Sequence, residues 1–146
     1  MATRYGIVLL AVLAAPGVSA DLPKVMAEPN LEKRSKLALD NAADALKRAR
    51  DAYEKGSADQ CQALVAETGD SVKLALKSLK DTGKNPRRSP KWFKRAEMEL
   101  RTLLRRIDAF RQEMSYTDRS WLDPLRAEVQ HSHDELLTGL LEGRRK

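Results

Sequence analysis

Few of the side chains that build active sites or metal sites occur in this sequence. Its 146 residues include one cysteine and two histidines. They contain no G-x-S-x-G or H-E-x-x-H motif and no glycine-rich phosphate loop. A lone cysteine also excludes a disulfide within the chain. We therefore predict that the protein is not an enzyme and carries no metal or other cofactor.

Aromatic residues are scarce as well, at 5% of the chain, and there are seven glycines and six prolines. Alanine, leucine, glutamate, lysine and arginine dominate instead, and these residues have the highest helix propensities. A chain of this length forms one domain at most. The composition favours an all-α protein.

The first twenty residues have the three parts of a secretory signal peptide. Arg4 is their only charge, an apolar run covers residues 7–15, and Val18-Ser19-Ala20 places small residues before the expected cleavage site. The apolar run is too short for a permanent transmembrane helix, which needs about 20 apolar residues. We expect cleavage after Ala20 and a mature protein without a transmembrane span, located in the periplasm or secreted further.

Cleavage would remove one arginine and no acid, and so lower the formal net charge from +6 to +5. Cys61 would then be an unpaired cysteine in an oxidising compartment, where it could link two chains. It also lies on a regular apolar stripe, which favours burial as a small apolar side chain. We predict the buried thiol, and the disulfide-linked dimer is the alternative.

Four long helices are predicted after an extended N-terminal segment, residues 21–29. Their expected bounds are 30–55, 57–82, 90–114 and 118–142, followed by a basic tail at 143–146. Gly56 and Gly83 end the first two helices, and two prolines exclude a helix from the connection between the second and the third. Two tight turns and one longer connection predict an antiparallel up-down-up-down four-helix bundle, with coiled-coil-like packing, over residues 30–142.

Small and apolar residues recur at alternating spacings of three and four along these segments, as expected for the buried face of a helix. The first helix carries alanines on this face, namely Ala38, Ala42, Ala45, Ala49 and Ala52. The third helix carries large side chains from Phe93 to Met114. We therefore expect a core in which the alanine-lined helix approaches its neighbour closely.

Pro124 leaves the start of the fourth helix open. Thr117 or Asp118 could cap a helix that accepts Pro124 within its first turns. Alternatively, the helix starts at Asp123, with Pro124 at its first position, where a missing N–H costs nothing.

Residues 84–95, here called the basic segment, contain six basic side chains and no acid. The candidate binding residues are Lys84, Arg87, Arg88, Lys91, Trp92, Lys94 and Arg95. Because the third helix begins within this segment, its N-terminal amides would add to the attraction for an anion. Trp92 supplies an amphipathic ring suited to a membrane interface or a stacking contact. The alternative interpretation is a solvated, charged surface that binds nothing.

Outside the cytoplasm, the anion would be a lipid head group, a cell-wall polymer or an acidic protein, and we do not expect nucleic acid. The preferred hypothesis is an exported, non-enzymatic helical protein that acts as an envelope binding module, an adaptor or a chaperone-like binder. Its oligomeric state does not follow from the sequence.

The two histidines support a second hypothesis. A secreted four-helix bundle with Met26 near its mature N-terminus and His131 or His133 near its C-terminus resembles the b-type cytochromes in layout. That resemblance implies a haem held by a methionine and a histidine from the first and last helices. The single Glu128-x-x-His131 spacing does not predict a di-iron site, because such a site needs two copies of that motif.

Overall fold

The computed structural model describes residues 21–142, and every regular element in this range is a helix. The elements are α1 (Leu22–Met26), α2 (Leu31–Glu54), α3 (Ala58–Asp81), α4 (Lys91–Glu113), a 3₁₀ turn (Arg119–Leu122) and α5 (Asp123–Leu141). The predicted all-α class is confirmed. The predicted signal peptide, residues 1–20, and the basic tail, residues 143–146, lie outside the described residues.

The ends of α2 and α3 follow the local signals in the sequence. Asn30 caps α2, since its side-chain oxygen accepts a hydrogen bond from the amide of Lys33 at 2.9 Å. Gly56 and Gly83 have φ angles of 77° and 66°. These left-handed conformations suit glycine and stop the two helices.

Two segments differ from the sequence expectation. Residues 21–29, expected to be extended, contain α1, because Pro23 is tolerated in a first turn and Val25, 6% exposed, is buried where α1 packs on α2 and α3. The last long helix starts at Asp123 with Pro124 in its first turn, which selects the second of the two alternatives. The preceding 3₁₀ turn occupies the residues that the first alternative had placed in that helix.

The most extensive helix–helix interface among the described residues is the one between α2 and α3. All five alanines of the predicted stripe on α2 are buried, and Ala42 has no exposed surface. Small residues of α3, including Ser71 and Ala75, are buried as well. In this interface the side-chain amide of Asn41 donates a hydrogen bond to the hydroxyl of Ser71 at 2.8 Å. Small side chains let two helices approach closely, and one buried polar pair fixes their register.

Helices α4 and α5 form a second antiparallel hairpin with larger core residues. Buried side chains on α4 include Leu100, Ile107 and Phe110, and those on α5 include Leu125 and Val129. Ion pairs at the surface follow the same antiparallel register: the first joins Arg126 to Asp108 at 2.7 Å, and the second joins Arg111 to Asp123 at 3.3 Å.

The two hairpins pack with parallel helices side by side. Arg50 of α2 pairs with Glu113 of α4 at 2.6 Å, near the ends of both helices. On the other side, Lys80 near the end of α3 pairs with Glu135 of α5. The starts of α2 and α4 therefore lie at one end of the molecule together with the ends of α3 and α5. We call this the connection end, because residues 82–90 cross it from α3 to α4.

Cys61 is fully buried within α3, so the prediction of a buried thiol is confirmed. Burial raises the pKa of this thiol, and the negative charge of Asp118 raises it further. A thiol with no exposed surface and a raised pKa is a poor nucleophile. This geometry argues against a disulfide between two folded chains.

The close α2–α3 contact makes a direct prediction. Ala42→Leu introduces three carbons where no space exists, and we expect it to lower the free energy of unfolding by about 1–3 kcal/mol. Ala63→Leu is the matched control, because Ala63 is exposed on α3, and we expect a change within about 0.5 kcal/mol. Urea denaturation measures both. Equal stability of the two variants would contradict the packing described here.

Candidate functional site

The basic segment lies at the connection end, where short polar side chains shape its backbone. The hydroxyl of Thr82 donates to the carbonyl of Leu79 at 2.6 Å and accepts from the amide of Lys84 at 3.2 Å. Asn85 then makes a turn, because its side-chain oxygen accepts from the amide of Arg87 at 2.8 Å and its carbonyl accepts from the amide of Ser89 at 2.9 Å. This turn leaves Arg87 and Arg88 on the exposed side of the connection.

The six cations of the segment differ in how their charge is compensated. Lys84 pairs with Glu32 near the start of α2, and Arg95 pairs with Glu99 one turn along α4 at 3.0 Å. The exposed side chains of Arg88, Lys91 and Lys94 form no ion pair with any residue between 21 and 142. The first turn of α4 carries no acidic side chain. Uncompensated positive charge therefore collects beside the N-terminal amides of α4, which themselves favour anions.

Trp92 is half-buried, with one part packed against the core. The ammonium of Lys91 lies 5.5 Å from the centre of its ring and the guanidinium of Arg95 lies 5.9 Å away. These are cation–π distances, so the ring helps to hold both cations at the surface. An aromatic ring with flanking cations is typical of sites that contact the interfacial region of a membrane.

The structure brings four of the seven predicted site residues into one shallow depression of about 390 Å³. Its walls are Lys84, Lys91, Trp92 and Lys94, together with Glu32, Ser89 and Pro90. Arg87, Arg88 and Arg95 are exposed nearby in the chain but do not line this depression. The predicted residues thus form a surface rather than an enclosed pocket.

An apolar groove of about 610 Å³ lies between α3 and α5 at the same end of the molecule. Leu79, Phe93 and Leu136 form part of its wall, and Pro86 of the connection closes one side. Leu141, the last residue of α5, is 48% exposed. The connection end therefore combines positive charge with accessible apolar surface.

A buried carboxylate on α4 is not visible in the sequence. Glu97 lies in a charged stretch of this helix that also carries Glu99 and Arg101, but it is only 5% exposed. Its carboxylate accepts hydrogen bonds from Arg101 and from Nε2 of His133 on α5, the latter at 2.8 Å. Burial raises the pKa of Glu97, but these two bonds and the charges of their donors outweigh it, and the pKa lies below its usual value. The i,i+4 spacing to Arg101 is visible in the sequence, but the contact with His133 depends on the α4–α5 register.

The residues of the haem hypothesis lie apart in the fold. Met26 is 59% exposed on α1, which packs on α2 and α3. His133 faces α4 through its bond to Glu97, and His131 is exposed at the α3–α5 groove. Residues 21–142 hold no group of three or more histidine, cysteine, aspartate or glutamate side chains arranged to bind a metal ion. Within the same range no helix is both long and apolar enough to cross a membrane.

Comparisons with protein-family models, with curated proteins and with solved structures found no match to this chain.

The Glu97 contact predicts a pH dependence of stability. The pKa of Glu97 is lower in the folded protein than the ordinary value of 4.5. The stabilisation by Glu97 is therefore fully present above about pH 4.5 and is lost as the pH falls through the pKa of the folded state. Glu97→Gln should lower the free energy of unfolding at pH 7 by about 1.5–3 kcal/mol. The free energy of unfolding of this variant should also decrease less than that of the wild type as the pH is lowered.

Glu99→Gln is the matched control for this measurement. Glu99 also has an arginine partner four residues away, but its side chain is 31% exposed and, among residues 21–142, it has no ion-pair partner on another helix. We expect its loss to cost no more than about 0.5 kcal/mol. Denaturant titrations between pH 3 and pH 7 compare the three proteins. If the Glu97→Gln protein has the stability of the wild type and loses as much of it at low pH, the proposed role of the buried contact is refuted.

Proposed function

We propose that this chain is an exported, non-enzymatic helical protein that binds an anionic component of the cell envelope through its basic segment. The observation that carries the proposal is the segregation of charge. Exposed cations without acidic partners collect around the start of α4 at the connection end. The preferred component is an anionic membrane surface, and a cell-wall polymer or an acidic protein is the alternative.

Two features favour the membrane surface over other polyanions. Trp92 is half-exposed beside the cations, and Leu141 is exposed at the same end of the molecule. Basic side chains near an anionic membrane contribute about 1 kcal/mol each, and an aromatic ring at the head-group level adds to this. A hydrophilic polymer would gain little from either apolar side chain.

Export is proposed from the signal-like sequence of residues 1–20, with cleavage after Ala20. In the mature protein we propose that α2, α3, α4 and α5 form a rigid four-helix bundle. The bundle would hold the basic segment at one of its ends, as an adaptor or spacer does. The alternating direction of successive helices and their matched ion pairs, such as Arg126 with Asp108, support this arrangement.

Charge reversal tests the proposal. The triple variant Arg87→Glu, Arg88→Glu, Lys91→Glu should lose its binding to vesicles that contain anionic phospholipid, measured by co-sedimentation of the mature protein. Wild-type binding should weaken as salt is raised, because the charges are exposed and screened. Neutral vesicles and a soluble cell-wall polymer serve as the competing ligands.

The matched control reverses three exposed lysines elsewhere, Lys47→Glu, Lys55→Glu and Lys73→Glu. This variant changes the net charge by the same amount, so its binding should remain close to that of the wild type if location matters. Equal loss in both variants would show that only net charge counts. Unchanged binding after reversal of the basic segment would refute the proposed site.

A further inference from the structure

The apolar groove between α3 and α5 is bounded by a helix on each side. Leu76 and Leu79 line it from α3, Leu136 lines it from α5, and the buried ring of Phe93 on α4 contributes from the core. Its volume of about 610 Å³ falls within the range of about 300–1,000 Å³ that is typical of ligand-binding clefts. The groove is therefore large enough to bind more than a single side chain.

The α5 wall of the groove is one continuous face of that helix. Its lining residues recur at spacings of one and three, namely His131, Asp134, Glu135, Thr138, Gly139 and Glu142. At 1.5 Å per residue these positions extend over about 16 Å, or about three helical turns. Gly139 keeps the wall low next to Pro86, whose Cγ lies 3.4 Å from the place where a Cβ at residue 139 would be. A wall of this length fits another helix that lies alongside it.

The rim of the groove is acidic. Asp134, Glu135 and Glu142 line it, and Lys80 is the only lysine or arginine among the lining residues. Lys80 pairs with Glu135. The other two acids pair with no lysine or arginine between residues 21 and 142. None of the six cations of the basic segment lines the groove, so its local charge is negative.

These features distinguish between the possible occupants. An acyl chain would suit the apolar walls, but the acidic rim would repel the head group of an anionic lipid. A second copy of the chain would need an exposed apolar stripe. The large hydrophobic side chains exposed in the described part of the chain lie on separate elements instead, namely Met26, Met98, Tyr116 and Leu141. An amphipathic helix with cationic flanks matches both the apolar walls and the acidic rim.

We propose that the groove between α3 and α5 binds a cationic amphipathic helix of a partner protein. The apolar stripe of that helix packs on Leu79, Phe93 and Leu136. Lysines or arginines beside the stripe pair with Asp134 and Glu142. The site does not depend on the proposed function, since the cations of the basic segment lie outside it.

Two synthetic peptides test the charge preference of the groove. Each is a labelled peptide of about five helical turns with leucines at spacings of three and four. The remaining positions are lysines in one peptide and glutamates in the other. Fluorescence anisotropy measures their binding to the purified protein. The net charge of the chain is +6, so non-specific attraction would favour the glutamate peptide.

We expect the opposite preference, together with a stoichiometry of one lysine peptide per chain. Two exposed ion pairs change an affinity by up to about tenfold, so the lysine peptide should bind about tenfold more tightly than the glutamate peptide. Raised salt should reduce this difference. A preference for the glutamate peptide would overturn the inference.

Gly139→Leu tests the position of the site, because the added side chain occupies the groove. It should weaken binding of the lysine peptide by about tenfold. Gly69→Leu is the matched control, since Gly69 lies on α3 in a separate depression, 3.7 Å from the side chain of Leu125 at its Cβ position. Urea denaturation checks that both variants are folded. Equal loss of binding in the two folded variants would contradict the proposed site.

The rim is tested by a double variant, Asp134→Asn with Glu142→Gln, which should bind the two peptides with similar affinity. Its control is Asp51→Asn with Asp59→Asn, which removes two exposed acids at the opposite end of the molecule and should keep the preference for lysine. The same affinities in both double variants would overturn the role of the rim.

Further outcomes would assign the groove to another occupant and so overturn the inference. Binding of the lysine peptide only to a variant that ends at Glu142 would assign the rim to the basic tail, residues 143–146. Self-association that Gly139→Leu abolishes, measured by sedimentation, would assign the groove to a second copy. Peptide binding without vesicle binding would refute the proposed function alone, and vesicle binding without peptide binding would refute this inference alone.

Discussion

The close contact between α2 and α3 is the constraint on which the other parts of the structure depend. Alanines on one helix and small residues on the other leave no room for larger side chains, and Ala42 has no exposed surface. The buried bond from Asn41 to Ser71 adds a polar contact that a shifted register would break. The larger core residues of α4 and α5 pack against this α2–α3 hairpin.

This arrangement explains where the basic segment lies. Because α4 packs beside α2 and runs in the same direction, the chain must return across the connection end between Asp81 and Lys91. Residues of such a connection have few neighbours, so Arg87 and Arg88 remain exposed. The basic segment and the apolar groove between α3 and α5 both lie at this end because the chain crosses it from α3 to α4.

The sequence predicted features that depend on local physics. The alanine stripe, the buried Cys61 and the stops at Gly56 and Gly83 each follow from periodicity or backbone preference. The short helix α1 was missed because five residues carry no periodic signal, and the burial of Val25 against the α2–α3 hairpin depends on tertiary packing.

The candidate site was predictable only in part, for a similar reason. A run of cations is visible in the sequence, but which of them are paired is not, since the partner of Lys84 is Glu32, far away along the chain. The burial of Glu97 against His133 likewise depends on a contact between two helices. Tertiary register decides these contacts, and a single sequence does not reveal it.

The proposed anion-binding surface lies at the connection end, and the two tryptophans test its position directly. Trp92 lies in the basic segment, whereas Trp121 lies in the 3₁₀ turn at the opposite end, with its ring 6.0 Å from that of Tyr53. Fluorescence is recorded from Trp121→Phe, which keeps Trp92, and from Trp92→Phe, which keeps Trp121. We expect a blue shift of the Trp92 emission on addition of anionic vesicles and an unchanged emission of Trp121. A shift of Trp121 with none at Trp92 would contradict the proposed position.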